Sequence, residues 1–313
     1  MPNTPLATSF VDPEISVNSG QMFLWQKIDN SWYGVYGDRI LKFSILQQDK
    51  NSPYEIGNTQ FFSFPEFNKW EQHVFRLDDD ITTILSSLSK DLIVSKAMKT
   101  YRGLRVTRQE PEQCMISFAC SSNTNISMIR RMLGNLCRKF GNRVFVDGRE
   151  FFTFPTATRL NKVTNNELLS CGVGYRVKAI RAVVENIVSN TIDLEDLKRA
   201  RYNAAKQQLT RIYGIGNKIA DCILLFSLEK TEAFPIDLWI TRAICLYYQS
   251  LLTRNQEQRK YRKEGIPEMN EKFVYRCKYE ILSELMRKYF GEYAGYAQQY
   301  LYYYVRQKAS RKW

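Results

Sequence analysis

A lysine and an aspartate on either side of one helical segment carry the chemistry that this sequence suggests. Lys218 follows the segment YGIGN (213–217), and Asp237 follows FPI (234–236). A lysine amine is a nucleophile only when uncharged, and the positive end of a helix dipole disfavours its charged form. Asp237 stands where a carboxylate can cap a helix that begins at Leu238. The two residues therefore predict an amine nucleophile with a carboxylate partner. The alternatives are a solvated lysine and an ordinary helix cap.

Two glycines give the segment before Lys218 the character of a phosphate-binding hairpin. Gly214 and Gly216 lie between two helical patterns, and we expect the whole helix-hairpin-helix unit to span about 203–228. Glycine permits a positive φ and lets backbone N–H groups approach an outside partner. N–H groups at a helix N-terminus form a site for phosphate. The sequence therefore predicts a site for a phosphate group at this hairpin.

The composition favours a polyanionic partner and excludes several kinds of site. The 313 residues carry a formal net charge of +13, a surplus shared by nucleic acid-binding, ribosomal and membrane-surface proteins. His73 is the only histidine, which excludes a multi-histidine metal site and argues against Ser-His-Asp catalysis. The seven cysteines form no C-x-x-C pair, so we predict neither a metal site nor disulfides. The sequence shows no signal peptide and no run of apolar residues long enough to span a membrane.

Hydrophobic periodicity changes along the chain and predicts two parts. Residues 18–62 alternate apolar and polar side chains between turn signals, which indicates antiparallel strands. Helical spacing begins at 77–92, after an aspartate-rich start, and continues almost throughout from residue 113. The predicted fold class is therefore α+β. An N-terminal antiparallel β-sheet domain with helices (1–110) is followed by an all-helical core (111–313); the family resemblance described below implies a base pocket between helical lobes of this core.

Caps and breaks bound the individual helices of the second part. One helix begins near Asn123 or Asn125, either of which is a suitable N-cap. The later predicted elements are a helix at 166–171, a break at 172–174, a helix from Tyr175, an exposed basic loop at 254–267 and a helical region at 273–305.

The stretch LTRIYGIGNKIADCILLFSLEKTEAFPIDLWITRAI (209–244) resembles the signature of the helix-hairpin-helix (HhH-GPD) DNA glycosylase superfamily. In its 8-oxoguanine branch, a lysine opens the helix after a Gly-X-Gly hairpin and an aspartate follows a proline about one helix later. The resemblance implies that Lys218 and Asp237 are catalytic and that Gly214 and Gly216 contact DNA. Similar pieces run from residue 19 to about 306 in the expected order.

Two further pieces imply contacts with an opened duplex. The segment YRGLRVTRQEPEQCMISFACSSNTNIS (101–127) resembles the family's Cys-Ser-Ser-Asn region, where the asparagine enters the gap left by a flipped base. Asn123 is the matching residue, and its alternative role is a helix cap. GVGYR (172–176) is similar to the family's Gly-Tyr-Arg turn. Tyr175 is therefore expected to wedge the duplex and Arg176 to read the orphaned base.

Two positions depart from the family pattern. Met128 stands where the family often has a second arginine that reads the orphaned cytosine, and methionine donates no hydrogen bond to a base. We therefore expect a relaxed preference for the base opposite the lesion. Trp239 stands where many relatives have a histidine near a DNA phosphate. The sequence therefore does not predict which residue contacts that phosphate.

The remaining pieces imply a pocket for the flipped base. SGQMFLW (19–25) resembles a motif whose glycine carbonyl accepts the N7–H of oxidised guanine, and EYAGYAQQYLYYYVRQK (292–308) resembles one that supplies an amide and an aromatic ring. A hairpin glycine and aromatic core packing are the alternatives. The resemblance assigns the base pocket to Gly20, Cys222, Gln298 and Tyr302.

Together these features predict a bifunctional DNA glycosylase and abasic-site lyase that flips and excises 8-oxoguanine. The expected partner is double-stranded DNA containing oxidised guanine. The expected protein is an intracellular, DNA-associated monomer that needs no metal or organic cofactor. A glycosylase for alkylated bases and a non-catalytic helix-hairpin-helix DNA-binding protein are the alternatives. Lys218 argues against the first alternative, since alkylated-base enzymes generally lack the hairpin lysine. The joint occurrence of Lys218, Asp237, Gln298 and Gly20 argues against the second.

Overall fold

The N-terminal part is built on an antiparallel sheet. A computed structural model of the protein describes residues 11–46, 59–254 and 278–310. The sheet has the order β1-β2-β3-β4, so each strand pairs with its neighbour in sequence. A second, two-stranded sheet pairs β5 with β6. The strands are β1 (Trp25–Ile28), β2 (Ser31–Tyr36), β3 (Arg39–Ile45), β4 (Thr59–Phe64), β5 (Arg143–Val146) and β6 (Arg149–Phe152).

Both faces of the main sheet are covered at β2. Trp32 packs with an aromatic cluster on one face, whereas its neighbour Tyr33 stacks on Phe151 of β6 on the other. Alternating side chains of a strand point to opposite faces, so β2 buries both sets. The small sheet thereby covers the large one and ties the N-terminal part to the helical part.

Sixteen α-helices occur within the described residues. They are α1 (Pro13–Asn18), α2 (Trp70–Val74), α3 (Ile81–Leu88), α4 (Leu92–Thr100), α5 (Pro111–Ala119), α6 (Ile126–Phe140), α7 (Ala157–Asn161), α8 (Asn165–Leu169), α9 (Val177–Val188), α10 (Leu194–Arg199), α11 (Tyr202–Thr210), α12 (Asn217–Ser227), α13 (Leu238–Tyr247), α14 (Gln249–Arg254), α15 (Tyr279–Phe290) and α16 (Ala294–Ser310). Single 3₁₀ turns cover Gly174–Arg176 and Gly291–Tyr293. No described helix is both long and apolar enough to cross a membrane.

The predicted α+β architecture is confirmed, and helix caps account for most of the predicted boundaries. Asp80 caps α3 by accepting hydrogen bonds from the N–H groups of Thr82 and Thr83, so the predicted helix at 77–92 is real but shorter. Of the two candidate caps of α6, Asn125 caps the helix, whereas Asn123 lies before it with a φ of 46°. The predicted loop at 254–267 and the start of the region 273–305 lie outside the described residues.

The helical core is organised around α12, which is buried along almost its whole length. It packs against α5 and α11, and α13 packs against α16. One hydrophobic core joins these helices to Phe23 and Leu104 of the N-terminal part. The division of the chain at 110/111 stays a prediction, because this core draws side chains from both sides of it.

Candidate active site

Lys218 lies in the first turn of α12, as predicted. The helix begins at Asn217, and Gly216 is its N-cap, which offers no side chain to bond the first N–H groups. The Lys218 side chain is half-buried and lines a cavity of about 510 Å³. A cavity of that volume lies within the range of small-ligand sites.

Asp237 lines the same cavity from the start of α13. Its carboxylate caps that helix, as predicted, by accepting a hydrogen bond of 2.9 Å from the Ile240 N–H. Burial raises the pKa of Asp237, and the cap hydrogen bond and the charge of Lys218 oppose that shift. The carboxylate and the amine therefore influence each other across a shared space in which a third group can be bound.

The segment before Asp237 is held on both sides. The Gln298 Nε2 donates to the carbonyl of Pro235 at 3.1 Å. The backbone N–H of Ile236 donates to the Tyr279 hydroxyl at 3.2 Å. Pro235 also has a restricted φ. The backbone that leads into Asp237 is therefore fixed, and this fixes the position of the Asp237 side chain.

The structure brings all four predicted pocket residues to this cavity. Gly20 has a φ of 87°, and a Cβ placed on it would lie 2.9 Å from the Tyr302 hydroxyl, so this wall tolerates no side chain. The Gln298 Oε1 is buried and accepts no hydrogen bond from the described part of the chain. Burial raises the pKa of Cys222 and that of Tyr302 to about 12, so both are neutral at pH 7.

Long-range hydrogen bonds place Gly20 in this wall. The Gln299 Nε2 of α16 donates to the Ser19 carbonyl at 3.1 Å, and the Gln109 Nε2 donates to the Gln21 carbonyl at 2.7 Å. The residues on either side of Gly20 are thus tied to the helical core. Gly20 itself lines the cavity.

Aromatic side chains and an arginine that the sequence did not single out complete the cavity. Phe118 stacks on Phe226 with ring centroids 5.8 Å apart, and Phe23 meets Phe118 edge-on. Arg306 lies at the cavity beside Tyr302, with its guanidinium carbon 5.8 Å from the ring centroid. Arg306 follows Gln298 and Tyr302 at helical spacing of four, a signal that could have found it.

The three predicted duplex-contacting residues come together next to the cavity. The Tyr175 hydroxyl donates to the Ser122 carbonyl at 3.1 Å, and Tyr175 is 62% exposed, as a wedge must be. The Arg176 guanidinium donates to the carbonyls of Ser122 and Asn123 at 2.6 and 3.3 Å. It must release the loop to read a base, and that role stays a prediction.

The two hairpin glycines have different physical reasons. Gly214 has the expected positive φ, 84°, and a Cβ there would lie 2.3 Å from the Cβ of Ala179. Gly216 has a φ of −84°, which any residue adopts, and the space around its Cα is open. The expectation of positive φ is therefore wrong for Gly216. Because Gly216 has no side chain, an outside group can approach the first N–H groups of α12 at this point.

The two departures from the family pattern lie on exposed or cavity-lining surface. Met128 is 41% exposed in the first turn of α6. Trp239 lines the cavity, and the guanidinium carbon of Arg242 lies 4.9 Å from its ring centroid. The positive charge of Arg242 thus lies next to the position at which the family often has histidine.

Comparisons with known proteins agree with this geometry. The model of the 8-oxoguanine DNA glycosylase N-terminal domain matches residues 5–115, and that of the HhH-GPD superfamily base excision DNA repair proteins matches residues 116–268. The chain is 31% identical to the N-glycosylase/DNA lyase OGG1 of Arabidopsis thaliana, over 91% of this chain and 74% of the plant protein. It is 32% identical to a Saccharomyces cerevisiae N-glycosylase/DNA lyase, over 73% of this chain and 64% of the yeast protein.

The chain belongs to the 8-oxoguanine DNA glycosylase family of the HhH-GPD superfamily. The resemblance drawn from the motifs is thereby confirmed.

The family's fold extends over nearly the whole chain. An 8-oxoguanine glycosylase/lyase of Clostridium acetobutylicum, solved with DNA containing cytosine opposite 8-oxoG, aligns with a TM-score of 0.79 at 26% identity. The alignment covers 96% of this chain and 93% of that one. A 3-methyladenine DNA glycosylase from Archaeoglobus fulgidus shares the fold at a TM-score of 0.69, but at 17% identity that likeness concerns the fold alone.

In the described residues, no group of three or more His, Cys, Asp or Glu is arranged to hold a metal.

Proposed function

We propose that this family member is a bifunctional DNA glycosylase and abasic-site lyase for 8-oxoguanine in duplex DNA. The observation that carries the proposal is the shared cavity of about 510 Å³, which Lys218 and Asp237 line together with Gly20, Cys222, Gln298 and Tyr302. The relatives named N-glycosylase/DNA lyase support both activities. A non-catalytic DNA-binding protein has no need of an amine and a carboxylate that face one cavity.

The chemistry begins with the amine of Lys218. Its lone pair forms a bond to C1′ of the flipped nucleotide while the glycosidic bond breaks and its electrons leave with the base, which takes up a proton. Asp237 stabilises the positive charge that develops on the sugar and assists the proton transfers. The nitrogen of this adduct gives up a proton, and the sugar ring opens as the C1′–O4′ bond breaks and O4′ takes up a proton, which leaves a protonated Schiff base. The Schiff base loses a proton from C2′, and the 3′ phosphate leaves by β-elimination. The strand is thus cut 3′ to the lesion.

Recognition of the base rests on the other walls of the cavity. The unpartnered Oε1 of Gln298 is an acceptor for an N–H of a purine's Watson–Crick edge, and the ring of Tyr302 offers a stacking surface. The Gly20 carbonyl offers an acceptor for the N7–H that oxidised guanine has and guanine lacks. A site that must fill a buried acceptor discriminates strongly against a base without the matching donor.

The duplex lies across the adjoining surface. The hairpin with Gly214 and Gly216 binds a phosphate of the lesion strand at the N-terminus of α12. Tyr175 holds the kinked duplex open, Asn123 enters the gap, and Arg176 reads the orphaned base. One chain supplies every group named, so the protein acts as a monomer, in whatever compartment of the cell contains its DNA.

A nicking assay tests the proposal. Purified protein is incubated with duplexes that contain 8-oxoguanine, undamaged guanine or an alkylated purine, and borohydride is added to trap the Schiff base. We expect cleavage and a covalent adduct with 8-oxoguanine only. Cleavage of the alkylated duplex alone would support the alkylated-base alternative, and binding without cleavage would support a non-catalytic role.

Opposite-base preference is relaxed because Met128 donates no hydrogen bond to the orphaned base. Excision rates of 8-oxoguanine opposite C, A, G and T should therefore be similar. Strict dependence on cytosine would contradict this part of the proposal and leave the excision activity standing.

A further inference from the structure

A buried carboxylate on α12 lies outside the lining of the base cavity. Asp221 is completely buried and lies about one turn after Lys218. It has no role in the mechanism described above. The Lys206 Nζ donates to its Oδ2 at 2.9 Å, and the Tyr279 hydroxyl donates to the same oxygen at 2.7 Å. The Tyr202 hydroxyl bonds the other oxygen. A fully buried charge with this many donors is held in one geometry.

Tyr279 connects that carboxylate to the segment that bears Asp237. Its hydroxyl oxygen donates to Asp221 and accepts the backbone N–H of Ile236 at 3.2 Å, so it uses both hydrogen-bonding capacities at once. Ile236 directly precedes Asp237. A continuous chain of bonds therefore runs from the helix of Lys218, through Asp221 and Tyr279, to the backbone N–H of Ile236, the residue before Asp237.

Tyr202 makes the same kind of contact without the connection. It bonds Asp221 through its hydroxyl and belongs to α11. The Arg287 guanidinium carbon lies 3.4 Å from the centroid of its ring. Two phenols thus share one carboxylate, and of the two it is Tyr279 that bonds the Asp237 segment. We therefore expect Tyr202 to support the fold only, whereas Tyr279 also helps to place the reacting groups.

We propose that Tyr279 is a positioning residue that, through Asp221, fixes the separation of the Lys218 amine and the Asp237 carboxylate. The inference rests on the proposed function, because the separation matters only where both groups act on one sugar. Without the Tyr279 hydroxyl, the Ile236 N–H loses its acceptor. The segment that leads into α13 keeps its bonds from Gln298 and Ser283, but Asp237 is held less tightly relative to α12. Catalysis depends on such placement to within about 1 Å.

The test compares Tyr279→Phe with Tyr202→Phe as the matched control. Each variant is first heated to find its melting temperature, and rates are then measured where it is fully folded. Single-turnover excision of 8-oxoguanine is recorded beside the dissociation constant for the same duplex. We expect Tyr279→Phe to slow excision on the order of 10- to 100-fold with unchanged binding, whereas Tyr202→Phe retains the wild-type rate.

Asp221→Asn provides a second variant, since it keeps the side-chain shape and removes the charged acceptor. It should slow excision as Tyr279→Phe does, and it carries the comparison with Tyr202→Phe if Tyr279→Phe does not fold. Equal rates for the variants with changes at 279, 221 and 202 would overturn the inference. Failure of the wild-type protein to excise 8-oxoguanine in the same assay would instead overturn the proposed function.

Discussion

Helix α12 has a lysine–aspartate pair on each of two sides, and the two pairs differ in what lies between the charges. On one side the Lys206 amine bonds the Asp221 carboxylate at 2.9 Å, with side-chain exposures of 14% and 0%. On the other side Lys218 and Asp237 are half-buried and face the base cavity, where their charges act on each other through space. We call the directly bonded Lys206–Asp221 pair the closed pair, and the Lys218–Asp237 pair, which lines a cavity, the open pair.

The difference shows how the same residue types serve structure or chemistry. In the closed pair each partner satisfies the other, so neither is available to a substrate. In the open pair the Asp237 carboxylate is destabilised by burial and the amine is held near it without being neutralised by contact. In the proposed mechanism a cationic sugar lies between them, where the carboxylate stabilises its charge and the amine bonds its C1′. The predictions below test this contrast, from the largest expected effect to the smallest.

Replacing Lys218 by Gln should abolish the chemistry of the open pair. We expect the borohydride-trapped adduct to disappear and the excision rate to fall by roughly 10⁴-fold or more, since the variant loses its nucleophile. Gel analysis of trapped protein–DNA adducts measures this. Lys206→Gln is the matched control and should retain adduct formation. Robust trapping by the Lys218 variant would assign the nucleophile to another residue.

Replacing Asp237 by Asn should remove the negative charge and keep the helix cap, because Asn caps helices as well as Asp does. The excision rate should fall by roughly 10²- to 10⁴-fold, the range for loss of a positioned acid or base. Affinity for the lesion duplex should remain. Single-turnover kinetics and a binding titration measure the two quantities, and an undiminished rate would remove Asp237 from the mechanism.

Removing the Lys206 charge from the closed pair should mainly lower stability. In Lys206→Gln the fully buried Asp221 loses its countercharge, so we expect the free energy of unfolding to fall by about 3–5 kcal/mol. Urea denaturation followed by circular dichroism measures it. The corresponding change at the open pair, Lys218→Gln, should cost much less. Equal losses at the two sites would show that the pairs do not differ in kind.

The pH dependence of excision should report the open pair. Burial raises the pKa of Asp237 above its ordinary value of 3.8, so the rate should fall, as pH decreases, at a pH above that value. The sign for stability is the reverse. A carboxyl whose pKa is raised on folding holds its proton more tightly when folded, and its contribution to stability is lost as pH rises through the raised pKa.

Comparison with Asp237→Asn isolates this effect from other buried carboxyls. The wild-type protein should lose stability relative to the variant as pH rises from 3.8 through the raised pKa of Asp237. The acid limb of the excision rate should persist unchanged in Lys206→Gln, because Lys206 faces Asp221. If the rate falls only at or below the ordinary aspartate pKa of 3.8, the pKa of Asp237 is not raised and the prediction is wrong.

Short-range patterns predicted much of the fold and of the site. The caps of α3 and α13, the hairpin before Lys218 and the alternation of the N-terminal strands each depend on residues within one or two turns of each other. Such hydrogen bonds and turns are encoded by neighbouring residue types. The order of family motifs then predicted which distant pieces form the pocket, and Gly20, Cys222, Gln298 and Tyr302 all line it.

What the sequence by itself determined was thus the kind of most local elements, and it supplied the candidate reacting groups, Lys218 and Asp237. Tertiary structure alone decided that Ser19 and Gln299, 280 positions apart, are hydrogen-bonded. It also decided that Gly216 needs no positive φ, and that Asp221 is closed by Lys206 while Asp237 stays open. The physical reason is that a cavity or a buried ion pair is made by packing between distant elements. Its geometry depends on all of those elements at once.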